Sequence, residues 1–146
     1  MFQVTFKDDG NPQGKGRPRF ARMGGFVKTY TDAKTKSYEE HIAFCAKRAM
    51  GASEPLKTPV DAFIYISMPV PTSYSKKRKE ACLNGSEKPT KKPDVDNVIK
   101  AFLDSMNKIV YDDDTQVVNL HCTKVYGEPF VEVLIKETEW VQYLWC

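Results

Sequence analysis

The chain has 146 residues, 41% of them hydrophobic and 28% charged, a composition that excludes a disordered or low-complexity protein. No apolar stretch approaches the roughly 18 residues of a membrane-spanning helix, and the N-terminus lacks the apolar segment of a signal peptide. We therefore expect one domain over residues 1–146, located in the cytoplasm, with no membrane partner and no small-molecule cofactor.

Charge is unevenly distributed along the chain. Residues 1–92 contain 18 Lys and Arg against 9 Asp and Glu, whereas residues 93–146 contain 4 against 10. A basic part beside an acidic part favours a protein that binds a polyanion and holds a metal ion. Ordinary variation of surface charge is the alternative explanation.

The first elements follow from residue periodicity. Phe2, Val4 and Phe6 alternate with polar residues, which predicts a short strand. Residues 7–30 are rich in glycine, proline and basic side chains, so we expect a loop there. Thr31 is the predicted cap of a helix that ends at Gly51, with its apolar residues at helical spacing.

The middle of the chain alternates strand and helix patterns. Val60–Met68 is rich in β-branched and aromatic residues, which predicts a central strand that ends before Pro69. Ser73–Leu83 has the composition of a short basic helix. From Val98 to Met106 the apolar residues form one helical stripe, with Asn107 as the expected end.

Two further strands are predicted at Val117–Tyr126 and Phe130–Ile135, joined as a hairpin through Gly127-Glu128-Pro129. The aromatic segment from Trp140 onwards is suited to packing on the body or on a second subunit. The element order predicts an α/β protein of the α+β type, with a mixed β-sheet flanked by helices.

The segment KPDVDNVIK, residues 92–100, carries the first group of candidate catalytic residues. In an extended segment after Pro93, Asp94 and Asp96 project to the same side. Once the helix begins near Asp96, four-residue spacing places Lys100 and Asp104 along the same face. Helix capping by the two aspartates and an ordinary exposed lysine are the alternatives.

The second acidic group is Asp112, Asp113 and Asp114, predicted to lie between the helix and a strand. Three carboxylates about 5 Å apart would repel by roughly 3 kcal/mol per pair at an effective dielectric near 20. A divalent cation such as Mg²⁺, which takes carboxylate oxygens and keeps waters, would offset this repulsion. A solvated turn is the alternative for the triple aspartate.

Together these residues resemble a known signature. KKPDVDNVIKAFLDSMN followed by IVYDDDTQVV is similar to the motif of the RusA family of Holliday-junction resolvases, which is common in bacteriophages and prophages. GKGRPRF, TYTDAKTKSYE and SYSKKRKEA also resemble segments of that family, so the likeness covers most of residues 10–135. Lys108 departs from the pattern, because many relatives have glycine after the asparagine.

The resemblance implies a Mg²⁺-dependent homodimeric endonuclease, with Mn²⁺ as a substitute ion, that cuts four-way DNA junctions in a bacterial or phage-infected cell. By position, Asp94, Asp96 and Asp114 would bind the metal, and Lys100 would be the essential basic residue. Asp113 is a further candidate ligand, and the additional Asp112 leaves open which of the three aspartates reaches the metal.

The basic segments are predicted to bind DNA phosphates. The residues concerned are Lys15, Arg17, Arg19, Arg22, Lys76, Lys77, Arg78, Lys79, Lys88, Lys91 and Lys92. Phe20 and Tyr30 could stack on an opened base or pack in the core. The alternative functions are cleavage of flaps, forks or other branched DNA, non-catalytic binding of branched or single-stranded DNA, and action as a basic phage accessory protein through protein contacts.

Overall fold

The structure, a computed structural model, describes residues 2–139, which contain six strands and three α-helices. The strands are β1 (Gln3–Asp9), β2 (Arg19–Met23), β3 (Phe26–Tyr30), β4 (Val60–Met68), β5 (Val117–Tyr126) and β6 (Phe130–Glu137). The helices are α1 (Ala33–Met50), α2 (Lys76–Leu83) and α3 (Val95–Ser105), and a short 3-10 turn spans Asp114–Gln116. Within this described range, no helix is long and apolar enough to cross a bilayer.

Four strands form one mixed sheet in the order β1-β6-β4-β5. β6 is antiparallel to both β1 and β4, whereas β5 runs parallel to β4. The predicted α+β class, with a mixed sheet and flanking helices, is confirmed. The predicted central position of Val60–Met68 is also confirmed, because β4 has a strand on each side.

The core lies between this sheet and helices α1 and α3. In β1 the alternation predicted from the sequence buries Val4 and Phe6 on one face. Phe102 of α3 is fully buried, its ring centroid 6.4 Å from that of Phe6 and 6.0 Å from that of Tyr38 on α1. These aromatic contacts fix α3 against both the sheet and α1, since a buried ring loses contact area when it shifts.

The predicted hairpin between the last two strands is wrong. β4 lies between β5 and β6 and pairs with both, so the two strands do not touch as neighbours. Gly127 donates its backbone N–H to the carbonyl of Met68 at 2.9 Å, which places the connecting turn over the end of β4. The turn residues correctly signal a reversal, but a local turn does not determine which strand will fill the space between its arms.

The prediction of a loop throughout residues 7–30 is also wrong. β2 and β3 pair in register as a two-stranded antiparallel ribbon, with Arg19 opposite Tyr30 and Met23 opposite Phe26. Asp32, not Thr31, caps α1, because its carboxylate accepts the backbone N–H of Thr35 at 2.9 Å. The end of α1 at Gly51 is as predicted, and the segment from Trp140 lies outside the described residues.

Lys108 lies in the turn that follows α3. Its φ angle is 67°, in the left-handed region that favours glycine, and its backbone N–H is bound to the carbonyl of Tyr111 at 2.7 Å. A residue with a β-carbon destabilises the folded state by about 1–2 kcal/mol in this region. Glycine avoids that strain, but it loses more conformational entropy on folding, so the net gain in stability is smaller. The position that departs from the family pattern is therefore one where the backbone favours glycine.

We expect Lys108→Gly to raise the free energy of unfolding by about 0.5–1 kcal/mol, because it relieves the left-handed strain. Chemical denaturation monitored by circular dichroism would measure this gain. Lys108→Ala keeps the β-carbon and serves as the control, with little change expected. Equal stability of the glycine and alanine variants would contradict the explanation.

Candidate active site

The N-terminus of α3 presents the first two candidate carboxylates. Asp94 is the N-cap residue, with extended backbone, and Asp96 lies in the first turn. Both residues are exposed, and within the described chain the carboxylate of Asp94 makes no capping hydrogen bond. The geometry therefore does not support side-chain capping as the role of Asp94, and its oxygens remain accessible to a ligand.

Farther along the same helix, Lys100 and Asp104 follow at four-residue intervals. Lys100 is exposed and Asp104 is half-buried, whereas Val98, Ala101 and Phe102 are buried. The apolar stripe thus fixes the rotation of the helix and turns the charged residues out of the core. Lys100 and Asp104 line a common cavity of about 460 Å³ together with Asn97 and residues 15–18, which belong to the glycine-rich segment of residues 14–18 that precedes β2.

The three consecutive aspartates have three different environments. Both oxygens of Asp112 lie 2.9 Å from the Lys57 ammonium. Asp113 accepts a hydrogen bond from the Thr115 hydroxyl at 2.7 Å, at the start of the 3-10 turn. Asp114 interacts with the carboxyl group of Asp104 on α3. Of these three neighbours, Asp114 is the one that joins the charged face of α3.

Asp104 and Asp114 form a carboxyl pair. The hydrogen bond to Asp104, followed by partial burial, raises the pKa of Asp114 above its ordinary value. Burial of Asp104 opposes its ionisation, but hydrogen bonds with Lys15 and Asp114 outweigh this and lower its pKa. Two adjacent carboxylates cannot both ionise without repulsion, so Asp114 is the member of the pair that tends to hold a proton.

Lys15 neutralises this pair from the glycine-rich segment. Its ammonium lies 2.6 Å from Asp104 Oδ2 and 3.2 Å from Glu39 Oε1 of α1, with 24% of the side chain exposed. Burial opposes the charge on Lys15, but the two carboxylates outweigh this and raise its pKa. Sequence reasoning missed this ion pair, and a DNA contact by Lys15 stays a prediction.

Two glycines allow the segment to approach both helices. A β-carbon on Gly14 would lie 2.9 Å from the β-carbon of Asn97, and one on Gly16 would lie 2.5 Å from Thr35 Oγ1. The backbone N–H of Lys15 donates to the Asn97 carbonyl at 3.0 Å. The sequence Gly-Lys-Gly therefore acts by close packing, with the lysine directed between α1 and α3.

Lys124 on β5 supports the turn that precedes Asp94. Its ammonium donates to the backbone carbonyls of Lys91 and Pro93, at 2.5 and 2.8 Å. The Lys92–Pro93 peptide bond within this turn is cis. No sequence signal identified Lys124, because a lysine in a strand pattern normally indicates an exposed position. Its hydrogen bonds position the backbone from which Asp94 projects.

The remaining predicted DNA-binding residues lie mainly on the surface. Arg17, Arg19, Arg22, Lys76, Lys77, Lys88, Lys91 and Lys92 are exposed, and Lys79 is half-exposed. Arg78 is paired with Glu87 at 2.8 Å and stacks over Tyr74 at 3.6 Å from the ring centroid. Phe20 and Tyr30 are exposed, so core packing, one of the two fates considered for them, is excluded.

The predicted metal ligands Asp94, Asp96 and Asp114 do not converge in this arrangement. Among residues 2–139, no three His, Cys, Asp or Glu side chains form a group that could hold a metal ion. Asp96 and Asp104 are separated by about 12 Å along the helix axis, and Asp114 lies at the Asp104 end. The chemistry of the donors nevertheless fits a hard divalent cation, which prefers carboxylate oxygens and would relieve repulsion between them.

Comparison with known proteins gives two matches. The family model described as Endodeoxyribonuclease RusA matches residues 9–136. A protein of Bacillus subtilis (strain 168) named "Uncharacterized protein YqaN" is 41% identical over 141 residues, which are 94% of this chain and 98% of the relative. The family match extends over the three helices, strands β2 to β5 and the charged site, so the likeness is not confined to one motif.

We expect Asp114→Asn to stabilise the protein at pH 7 by up to about 1 kcal/mol, because it removes repulsion with Asp104. A raised folded-state pKa stabilises the fold at low pH, and that contribution is lost as the pH rises through it. The gain from the variant should therefore vanish as the pH falls below the ordinary aspartate value of 3.8. Thermal unfolding measured between pH 3 and pH 8 would test this.

Asp112→Asn is the matched control, because it removes the exposed pair with Lys57 instead of a repulsion. Its expected effect at pH 7 is neutral or destabilising by less than about 1 kcal/mol. Destabilisation by Asp114→Asn at neutral pH, or the same pH profile in both variants, would contradict the assigned carboxyl pair.

Proposed function

The chain belongs to the RusA endodeoxyribonuclease family, and from this premise we propose that it is a Mg²⁺-dependent nuclease that resolves four-way DNA junctions. The observation that carries the proposal is that Asp114 lies beside Asp104 on the charged face of α3. Lys100 and Asp104 of that face line one cavity. Segments distant in the sequence thereby supply carboxylates and a lysine to one surface. Such a group is suited to phosphodiester hydrolysis.

Asp94, Asp96 and Asp114, which do not converge in the arrangement described, would be drawn together by the ion and hold it, with Asp113 as the alternative to Asp114 and Mn²⁺ as a substitute for Mg²⁺. The ion, when bound, would polarise a phosphate oxygen and lower the pKa of a coordinated water. Asp94 and Asp96 are exposed at the N-terminus of α3, whose dipole and N–H groups favour an approaching phosphate.

Lys100 would stabilise the negative charge that develops on the phosphate. It is exposed and lines the same cavity as Asp104, and its charge favours ionisation of both Asp104 and Asp114. A preorganised cation at this position stabilises the transition state more than the ground state. Lys15 would act indirectly, since its ion pairs hold Asp104 and therefore the position of Asp114.

Branched DNA would be bound by the exposed basic side chains of residues 17–22, of α2 and of residues 88–92. These contacts are mostly to phosphates, so binding should weaken as the salt concentration rises. A four-way junction has near two-fold symmetry, and a homodimer with two equivalent sites would account for paired symmetric cuts. Recombination and repair of DNA are the processes that need this activity.

We expect Asp96→Asn to lower the cleavage rate of a synthetic four-way junction in Mg²⁺ by at least about 100-fold, since it removes a proposed ligand and several kcal/mol of transition-state stabilisation. Gel assays with labelled junction and linear duplex would measure it. Junction binding should persist, because the lost carboxylate is not a phosphate contact.

Asp112→Asn is the control in this assay, because Asp112 is paired with Lys57 outside the site; its cleavage rate should stay near the wild-type rate. Full activity of Asp96→Asn would overturn the proposed ligand set. Intact junction binding without cleavage by the wild type would favour a non-catalytic binder, and equal cutting of linear duplex would overturn selectivity for junctions.

A further inference from the structure

The ribbon formed by β2 and β3 is a two-stranded sheet separate from the main one. All of its residues except Ala21 are exposed. Its large apolar side chains are also solvent-exposed, with Phe20 at 71% and Phe26 at 65%. A two-stranded ribbon is only marginally stable in water, and clustered exposed apolar side chains indicate a binding surface.

Both faces of the ribbon combine cationic and apolar side chains. Directly opposed residues of an antiparallel pair share a face. One face therefore carries Arg19 with Tyr30, Ala21 with Lys28 and Met23 with Phe26, and the other carries Phe20 with Thr29 and Arg22 with Val27. Phe20 and Phe26 lie on opposite faces. The ribbon thus lacks the single apolar face of a strand pair made to pack on a core.

The charge of the ribbon indicates which partner it fits. Residues 11–31 contain Lys15, Arg17, Arg19, Arg22 and Lys28 and no acidic residue. Two ribbons facing each other in a dimer would bring like charges together, whereas nucleic acid would neutralise them. Cations interleaved with aromatic rings are typical of surfaces that bind phosphates and stack on bases.

The position of the ribbon relates it to the candidate active site. Arg17 and Pro18, which lead directly into β2, line the same cavity as Lys100 and Asp104. At the base of the ribbon, Arg19 Nε lies 3.9 Å from the carboxylate of Asp32, the cap of α1. DNA held by the ribbon would therefore be next to the cavity that contains Lys100.

We propose that this ribbon recognises the branch point itself, with Phe20 and Phe26 stacking on bases that are unpaired or opened at the crossover. The inference rests on the proposed junction cleavage and adds the element that distinguishes a junction from duplex DNA. Base faces are hidden in a continuous duplex and become accessible where arms meet. Aromatic rings on both faces of the ribbon suit insertion between two arms, while Arg19, Arg22 and Lys28 contact phosphates.

The test compares the double variant Phe20→Ala/Phe26→Ala with Phe44→Ala, which removes a ring of similar exposure, 63%, on α1. Binding of a four-way junction and of linear duplex is measured in EDTA, with 2-aminopurine placed at the crossover. We expect the double variant to bind the junction about 10-fold or more weakly, with the affinity for linear duplex nearly unchanged. The change in 2-aminopurine fluorescence that accompanies binding of the wild type should be lost. Phe44→Ala should behave as the wild type.

Two further variants separate stacking from charge and from misfolding. Phe20→Tyr/Phe26→Tyr keeps both rings and should restore junction preference. Arg22→Gln should weaken binding of the junction and of the duplex alike. It should also reduce the slope of the logarithm of the binding constant against the logarithm of salt concentration by about 1, as expected for a lost phosphate contact. Circular dichroism should show the same unfolding midpoint for all variants of the ribbon, because the ribbon lies outside the main sheet.

The inference is overturned if the double alanine variant keeps its junction preference, or loses junction and duplex affinity equally. It is also overturned if sedimentation shows that the variant changes oligomeric state, which would make the ribbon a contact between two copies. A wild type that cuts no junction in Mg²⁺ or Mn²⁺, yet shows a crossover signal that depends on both rings, would overturn the proposed catalysis and support the inference.

Discussion

The ion pairs of Lys15 are the contacts on which the candidate site depends. One ammonium lies between Asp104 of α3 and Glu39 of α1, and it is carried by a segment that two glycines fit tightly against those helices. Removal of the cation would leave partly buried carboxylates without compensation, which is more costly than loss of an exposed pair. Against the opposing effect of burial, the same contact helps to lower the pKa of Asp104, the carboxyl group that Asp114 adjoins.

The acidic residues illustrate how the environment assigns different roles to identical side chains. Asp112 is neutralised by Lys57, Asp113 accepts from Thr115 in the turn, and Asp114 adjoins Asp104. Asp94 and Asp96, by contrast, are exposed at the N-terminus of α3. Carboxylates at a site for a divalent ion have to be held together against their repulsion. In the arrangement described, Lys15 is paired with Asp104, and the charge of Lys100 favours ionisation of both Asp104 and Asp114, which offsets part of the repulsion in that pair.

The proposed recognition and the proposed chemistry fall on elements of different stability. α3 is fixed by the fully buried Phe102 and Val98, so the residues on its charged face have defined positions. The β2–β3 ribbon, by contrast, is exposed and adds no large apolar side chain to the core. Surfaces that adapt to a large ligand are drawn from such elements, whereas positions that perform chemistry need rigid support.

Much of the fold and part of the site could be predicted from sequence, because they depend on local repeats. Alternation over Val4 and Phe6 determined the inner face of β1, and four-residue spacing placed Lys100 and Asp104 on one side of α3. The ribbon was missed because the glycine-rich composition of its surroundings indicated a loop, although the paired strands contain β-forming residues.

The sequence by itself determined the periodic elements, the charged face of α3, the separation of basic from acidic segments and the family signature. Only the tertiary structure decided that β4 separates β5 from β6, that Asp114 is the aspartate beside Asp104, and that Lys15 pairs with Asp104, a residue 89 positions away. The physical reason is the separation along the chain of the residues that interact. Helix and strand periodicity are set by neighbours a few residues apart, whereas strand order and ion pairing depend on which distant surfaces exclude water together.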